Sequence, residues 1–117
     1  MSGRAPASQA VRRLSEVMQE ADIDASGVAR ILSKDRKTVY RWLSLQVAPR
    51  WEAKETMLAL NVVLERLAHV VEQGAVEEWL FTPNPELANR RPVDLIRRGD
   101  SRAVLNLIDA IGEEVFT

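Results

Sequence analysis

Residues 26–45 read S-G-V-A-R-I-L-S-K-D-R-K-T-V-Y-R-W-L-S-L. Two short helical patterns flank a break of about three residues, the spacing of a helix-turn-helix. The first pattern, Ser26–Leu32, places Val28, Ile31 and Leu32 on one face, with Asp24 or Ser26 available as its cap. The second, Arg36–Leu43, follows Asp35 as N-cap and turns Val39, Trp42 and Leu43 inward. Ala29 is small where the two helices must cross closely. Arg36, Lys37, Thr38, Tyr40 and Arg41 are left on the outer face, with Lys34 in the turn before them. Arg and Lys reach phosphates and guanine edges, and Thr can bond either, so this face has the chemistry of a DNA recognition helix. A plain αα-corner with a charged surface is the simpler alternative. Leu45 stands where such motifs usually carry Gly. A left-handed turn is costly for Leu, so the chain is expected to leave the motif by another path.

Outward from this motif every pattern is helical. Residues 1–10 are small and polar and are expected to be a disordered tail. Val11–Ala21 carries Val11, Leu14, Val17 and Met18 at helical spacing. Pro49 closes the first unit, 11–50, and a long helix is expected over Trp51–Gln73, ending at Gly74. Its apolar residues, from Met57 through Val71, cover more than half its circumference. Such a helix must be buried on most sides. We therefore expect one side to pack on its own domain and another, through Leu60, Val63, Leu64 and Leu67, to form a homodimer. Residues 75–117 hold shorter elements. Val76–Phe81 gives one or two helical turns, Asn84 caps a short helix with Pro85 in its first turn, and Pro92 starts Val93–Arg98 before Gly99. Ser101–Gly112 is the last helix. No strand pattern occurs, so the fold is all-α: an N-terminal helix-turn-helix, a long connecting helix and a small C-terminal helical subdomain.

Charge divides the chain in the same way. Residues 1–54 hold ten Lys/Arg and six Asp/Glu, a net +4, whereas residues 55–117 hold six and eleven, a net −5. A basic half suits an anionic partner such as nucleic acid, and the contrast suggests two jobs. Absence of cysteine removes disulfides and thiolate metal sites. The first residues lack an apolar signal core and no run is long enough to span a membrane, so the expected compartment is the cytoplasm. Enzyme chemistry finds no footing. His69, the single histidine, lies among Leu67, Ala68, Val70 and Val71, the setting of a core-edge or dimer-facing residue. The adjacent pairs Glu77/Glu78 and Glu113/Glu114 point apart on a helix. No Gly-rich phosphate loop or metal-ligand spacing is present, no cofactor or small-molecule substrate is expected, and Trp42, Trp51 and Trp79 read as core anchors.

Residues 79–94, W-L-F-T-P-N-P-E-L-A-N-R-R-P-V-D, are more specific. Pro83, Pro85 and Pro92 fix φ at three points and hold the bend rigid. With the helix-turn-helix, the long helix and the continuation L-I-R-R-G-D, the pattern W-L-x-T-P-N-P…R-P-x-D-L-x-x-x-G closely resembles the Xre/MbcA/ParS-type antitoxins, particularly their mycobacterial members. The resemblance runs from about Val11 to the end. Asn89 replaces the family's usual Gly, and Asn is the next most tolerant residue of a left-handed turn. Glu114 replaces a Gly of close relatives.

That resemblance implies an antitoxin of a RES–Xre toxin–antitoxin module. Its partner would be a RES-domain toxin that destroys NAD⁺, its C-terminal domain would cover the toxin's active site, and its helix-turn-helix would bind promoter DNA. Arg90, Arg91, Asp94 and Arg98 are the expected toxin-facing residues on the bend, joined at the terminus by Glu114, Val115, Phe116 and Thr117. Two other readings are a helix-turn-helix regulator without a toxin partner and a partition-type structural protein.

Overall fold

Asp24 and Asp35 set the frame of the N-terminal half. In the computed structural model, which describes residues 7–115, the Asp24 carboxylate accepts from Gly27 N at 2.8 Å and starts α2, Ala25–Leu32. Asp35 accepts from Lys37 N at 3.0 Å and starts α3, Arg36–Leu43. Between them Ser33 adopts φ +56°, and Lys34 N donates to Ala29 O at 2.9 Å, which closes the end of α2. Helix α1, Ala7–Ala21, precedes this pair, and α4, Trp51–Val70, follows it. The C-terminal half contains α5, Val76–Phe81, a single 3-10 turn at Pro85–Leu87, α6, Pro92–Arg97, and α7, Ser101–Val115. Among the described residues the only extended pairing is an isolated bridge between Asn84 and Arg90, so the fold is all-α.

Helix α4 is the centre of both halves. It packs against α1 on one side and α7 on another. Leu60, Val63, Leu64 and Leu67 are fully buried within the single chain. Their assignment to a dimer interface is therefore corrected: the apolar surface that exceeded one domain's needs is covered by the second half of the same chain. Asn61 ties α1 to α4 by donating Nδ2 to Ala10 O at 3.0 Å. Arg66 reaches Asp109 on α7 at 3.0 Å, and Arg13 pairs with Glu65 on the other flank.

Several boundaries differ from the sequence expectation. Helix α1 begins at Ala7, and Ala10 is buried, so residues 7–10 belong to the folded unit. The rest of the expected tail, residues 1–6, lies outside the described residues. Helix α4 stops at Val70 rather than Gln73, with Val71 extended at φ −120°. The β-branched pair Val70–Val71 is a weak helix former, and Gly74, at φ +89°, instead serves the loop into α5. The last helix continues past Gly112 to Val115 despite two carboxylates in its final turn.

Leu45 also departs from expectation. It does adopt the left-handed conformation, at φ +62°, and its N donates to Trp42 O at 3.0 Å. For a residue with a branched side chain this costs about 1–2 kcal/mol. Trp42 is buried, Trp79 half-buried, but Trp51 is exposed, so Trp51 is no core anchor.

A bend, a clamp and a cationic face

The 82–91 segment is closed by its own backbone. Asn84 caps the 3-10 turn by accepting from Glu86 N at 2.9 Å. Asn84 N donates to Arg90 O at 3.1 Å, and Asn89 N donates to Asn84 O at 2.9 Å. Asn89 takes φ +62°, as its substitution for Gly requires, but Ala88 beside it is also left-handed at φ +58°. Pro85 and Pro92 each occupy a first-turn position, where a missing N–H leaves no helical bond unmade.

From this bend Arg91 reaches Asp94 with two parallel bonds, Nε to Oδ2 at 2.8 Å and Nη2 to Oδ1 at 2.9 Å. This bidentate geometry is the stronger form of such a pair. It holds the Asp94 carboxyl below its usual value, chiefly through the hydrogen bond from Arg91. The Arg91 and Arg97 guanidinium carbons lie 5.6 and 5.7 Å from the Phe81 ring centroid. The structure thus unites Arg91 and Asp94 in one rigid, half-exposed cluster. Arg90 is separate, its Nε donating to Leu87 O at 2.9 Å. Arg98 is exposed just after α6, and Glu114 is exposed in the last turn of α7. Val115 ends that helix; its side chain, Phe116 and Thr117 lie outside the described residues.

Sequence reasoning missed Arg97. Its Nε donates to Ile31 O at 2.9 Å and its Nη2 to Arg30 O at 2.6 Å, both carbonyls at the end of α2. Arg30 in turn pairs with Glu77 of α5 at 2.6 Å. The C-terminal half therefore grips the helix-turn-helix. Gly27 makes room for this contact, because a Cβ there would stand 2.7 Å from the Glu77 carboxylate. A glycine inside a short helix was the available signal.

On the opposite side, Lys34, Arg36, Lys37, Tyr40 and Arg41 are exposed and Thr38 is half-buried, while Val39 and Trp42 point into the core. The predicted outer face of α3 is thus the outer face. Arg36 stacks on Tyr40 at 5.2 Å and donates to its hydroxyl at 3.3 Å. Lys34, Arg36, Lys37 and Arg41 make no ion pair with described residues. His69 is exposed, with Nδ1 2.8 Å from Glu65 O. No group of three or more His, Cys, Asp or Glu among the described residues could hold a metal ion. No described helix is long and apolar enough to cross a membrane.

Residues 63–113, which include the bend and its arginine cluster, match the model of the antitoxin Xre/MbcA/ParS C-terminal toxin-binding domain. Beyond that segment, the chain is 36% identical over 109 residues to the mycobacterial cidal antitoxin MbcA of Mycobacterium tuberculosis and of Mycobacterium bovis, covering 93% of this chain and 90% of theirs. The chain belongs to the Xre/MbcA/ParS antitoxin family. As a family member it is one half of a toxin–antitoxin pair. Its fold is similar to a chain in the crystal structure of the M. tuberculosis MbcT–MbcA toxin–antitoxin complex, with a TM-score of 0.78, 33% identity, and coverage of 92% of this chain and 96% of that one. The proteins it matches are antitoxins, and no catalytic family is indicated.

Proposed function

We propose that this antitoxin binds a RES-domain toxin in the cytoplasm and stops it degrading NAD⁺ by covering its active site, and that it also binds its own promoter as a homodimer. The observation that carries the toxin half is the position of the Arg91–Asp94 cluster inside the segment matching a toxin-binding domain. The bend is fixed before binding, so docking costs little ordering entropy. Co-expression with a RES-domain toxin, followed by growth, co-purification and NAD⁺ measurement, tests this reading. The expected result is a stable complex with NAD⁺ preserved; a toxin that remains free and active refutes it.

The DNA half rests on the outer face of α3. Four cations there make no ion pair with described residues, whereas Arg13, Arg30, Arg66, Arg91 and Arg97 are each paired with a carboxylate. Cations free of carboxylates on a helix-turn-helix suit phosphates, and Arg36 and Thr38 have side chains able to bond base edges. Exchanging Arg36 and Lys37 for Ala is expected to weaken promoter binding and lower the salt slope by about one unit for each lost phosphate contact. Toxin neutralisation is expected to be unchanged. Equal affinity and equal salt slope in titrations of the upstream DNA would remove α3 from the interface.

A further inference from the structure

The cations of the α3 face differ in how they are held. Arg36 is the first residue of the helix, and Tyr40 lies one turn later on the same face. The Arg36 guanidinium carbon sits 5.2 Å from the Tyr40 ring centroid, and its Nη2 donates to the Tyr40 hydroxyl at 3.3 Å. Both residues are exposed, Tyr40 to 50%. Lys34, Lys37 and Arg41 are also exposed, but their side chains make no hydrogen bond, ion pair or ring contact with described residues. Arg36 is therefore the held cation of this face, and Tyr40 holds it.

A held guanidinium and unheld cations suit different parts of a duplex. A phosphate accepts a positive charge from many directions, so a long unfixed side chain serves it well. A base edge does not. Guanine offers O6 and N7 side by side in the major groove, and a planar guanidinium must meet both edge-on. An arginine already restrained by a ring loses less side-chain freedom on reaching that geometry. The bond to Tyr40 uses one Nη2 hydrogen and leaves further N–H donors for guanine. The place along the helix agrees, because recognition helices meet base edges with their N-terminal residues. An exposed i, i+4 contact adds little to helix stability, so its larger consequence is the restriction it places on Arg36.

We propose that Arg36 reads a guanine of the promoter through O6 and N7, with Tyr40 as the residue that positions its guanidinium, while Lys34, Lys37 and Arg41 neutralise phosphates. This rests on the DNA reading above and divides the cationic face into one base contact and three backbone contacts.

Titrations of the upstream duplex with the full chain test it. Each G·C pair is replaced in turn by A·T, and each guanine by 7-deazaguanine, which lacks the N7 acceptor. Wild type is expected to lose roughly 5- to 150-fold in affinity when the contacted pair is exchanged, and to respond to 7-deazaguanine at that same position. Arg36→Ala is expected to bind the promoter more weakly and to lose both responses there. Lys37→Ala is expected to keep them while its salt slope falls by about one unit. Tyr40→Ala is expected to lose most of the discrimination at an unchanged melting temperature and salt slope, and Tyr40→Phe, which keeps the ring, to regain much of it. An Arg36→Ala protein that retains full discrimination overturns the base contact and leaves the DNA reading standing. Wild-type discrimination in Tyr40→Ala overturns the positioning role. A wild type that binds the upstream duplex no better than unrelated DNA overturns the proposal and the promoter reading together.

Discussion

Leu67→Asp is expected to unfold the chain. Leu67 is fully buried on α4, the helix that packs against both α1 and α7. Truncating a buried Leu costs about 2–5 kcal/mol, and placing an unpaired carboxylate in its site adds several more. Against a total stability of about 5–15 kcal/mol, that removes most or all of the native population. Val62→Asp, on the same helix but exposed, is expected to change stability by no more than about 0.5 kcal/mol. Thermal melts followed by circular dichroism compare the two. A Leu67→Asp protein that melts like wild type but has lost only self-association would restore the α4 stripe to an interface.

Arg91→Glu is expected to abolish toxin capture at ordinary concentrations. The change breaks two charge-assisted bonds to Asp94 and puts a second carboxylate beside the first. It also removes a cation from the Phe81 ring. Truncating an interface hot spot costs about 2–4 kcal/mol, or a roughly 30- to 1,000-fold loss of affinity, and charge reversal does no better. Calorimetric titration with the toxin gives the number, and the far-ultraviolet spectrum checks the fold. The cluster is half-exposed in the free chain, so its effect on stability alone is expected to be small. Unchanged affinity would move the toxin surface away from α6.

The legible parts of this protein were those written in local chemistry. Asp35 before a basic helix, Asn84 before Pro85, and Pro92 at the head of V-D-L-I each fix a helix start within a few residues. The structure places all three as read. The outward face of α3 followed from Val39 and Trp42 lying three apart. The illegible parts depend on tertiary contacts. Apolar coverage of α4 showed that two sides were buried, but periodicity cannot say whether the cover comes from α7 or from another chain. Arg97 carries no local signal, because its partners are carbonyls 66 and 67 residues away. Ser33, Leu45 and Ala88 adopt positive φ without the Gly or Asn that would advertise it. Residue type alone points Trp51 to the core, whereas its place at the first position of α4 leaves it outside.

The grip of Arg97 on the last carbonyls of α2, with α4 as common centre, bears on how such proteins diversify. A gene fragment encoding residues 1–70 would leave one flank of α4 bare and the end of α2 without its guanidinium. It would not yield a free-standing repressor. Recombination that exchanged whole N-terminal heads between related genes would have to carry Gly27, Arg30, Glu77 and Arg97 together, although they are scattered along the chain. Point changes at Arg36, Lys37, Tyr40 and Arg41 face no such linkage, since none of these side chains touches the clamp. On the DNA reading proposed above, new promoter preferences would arise in this lineage by drift along one face of α3, with the toxin-facing half inherited unaltered.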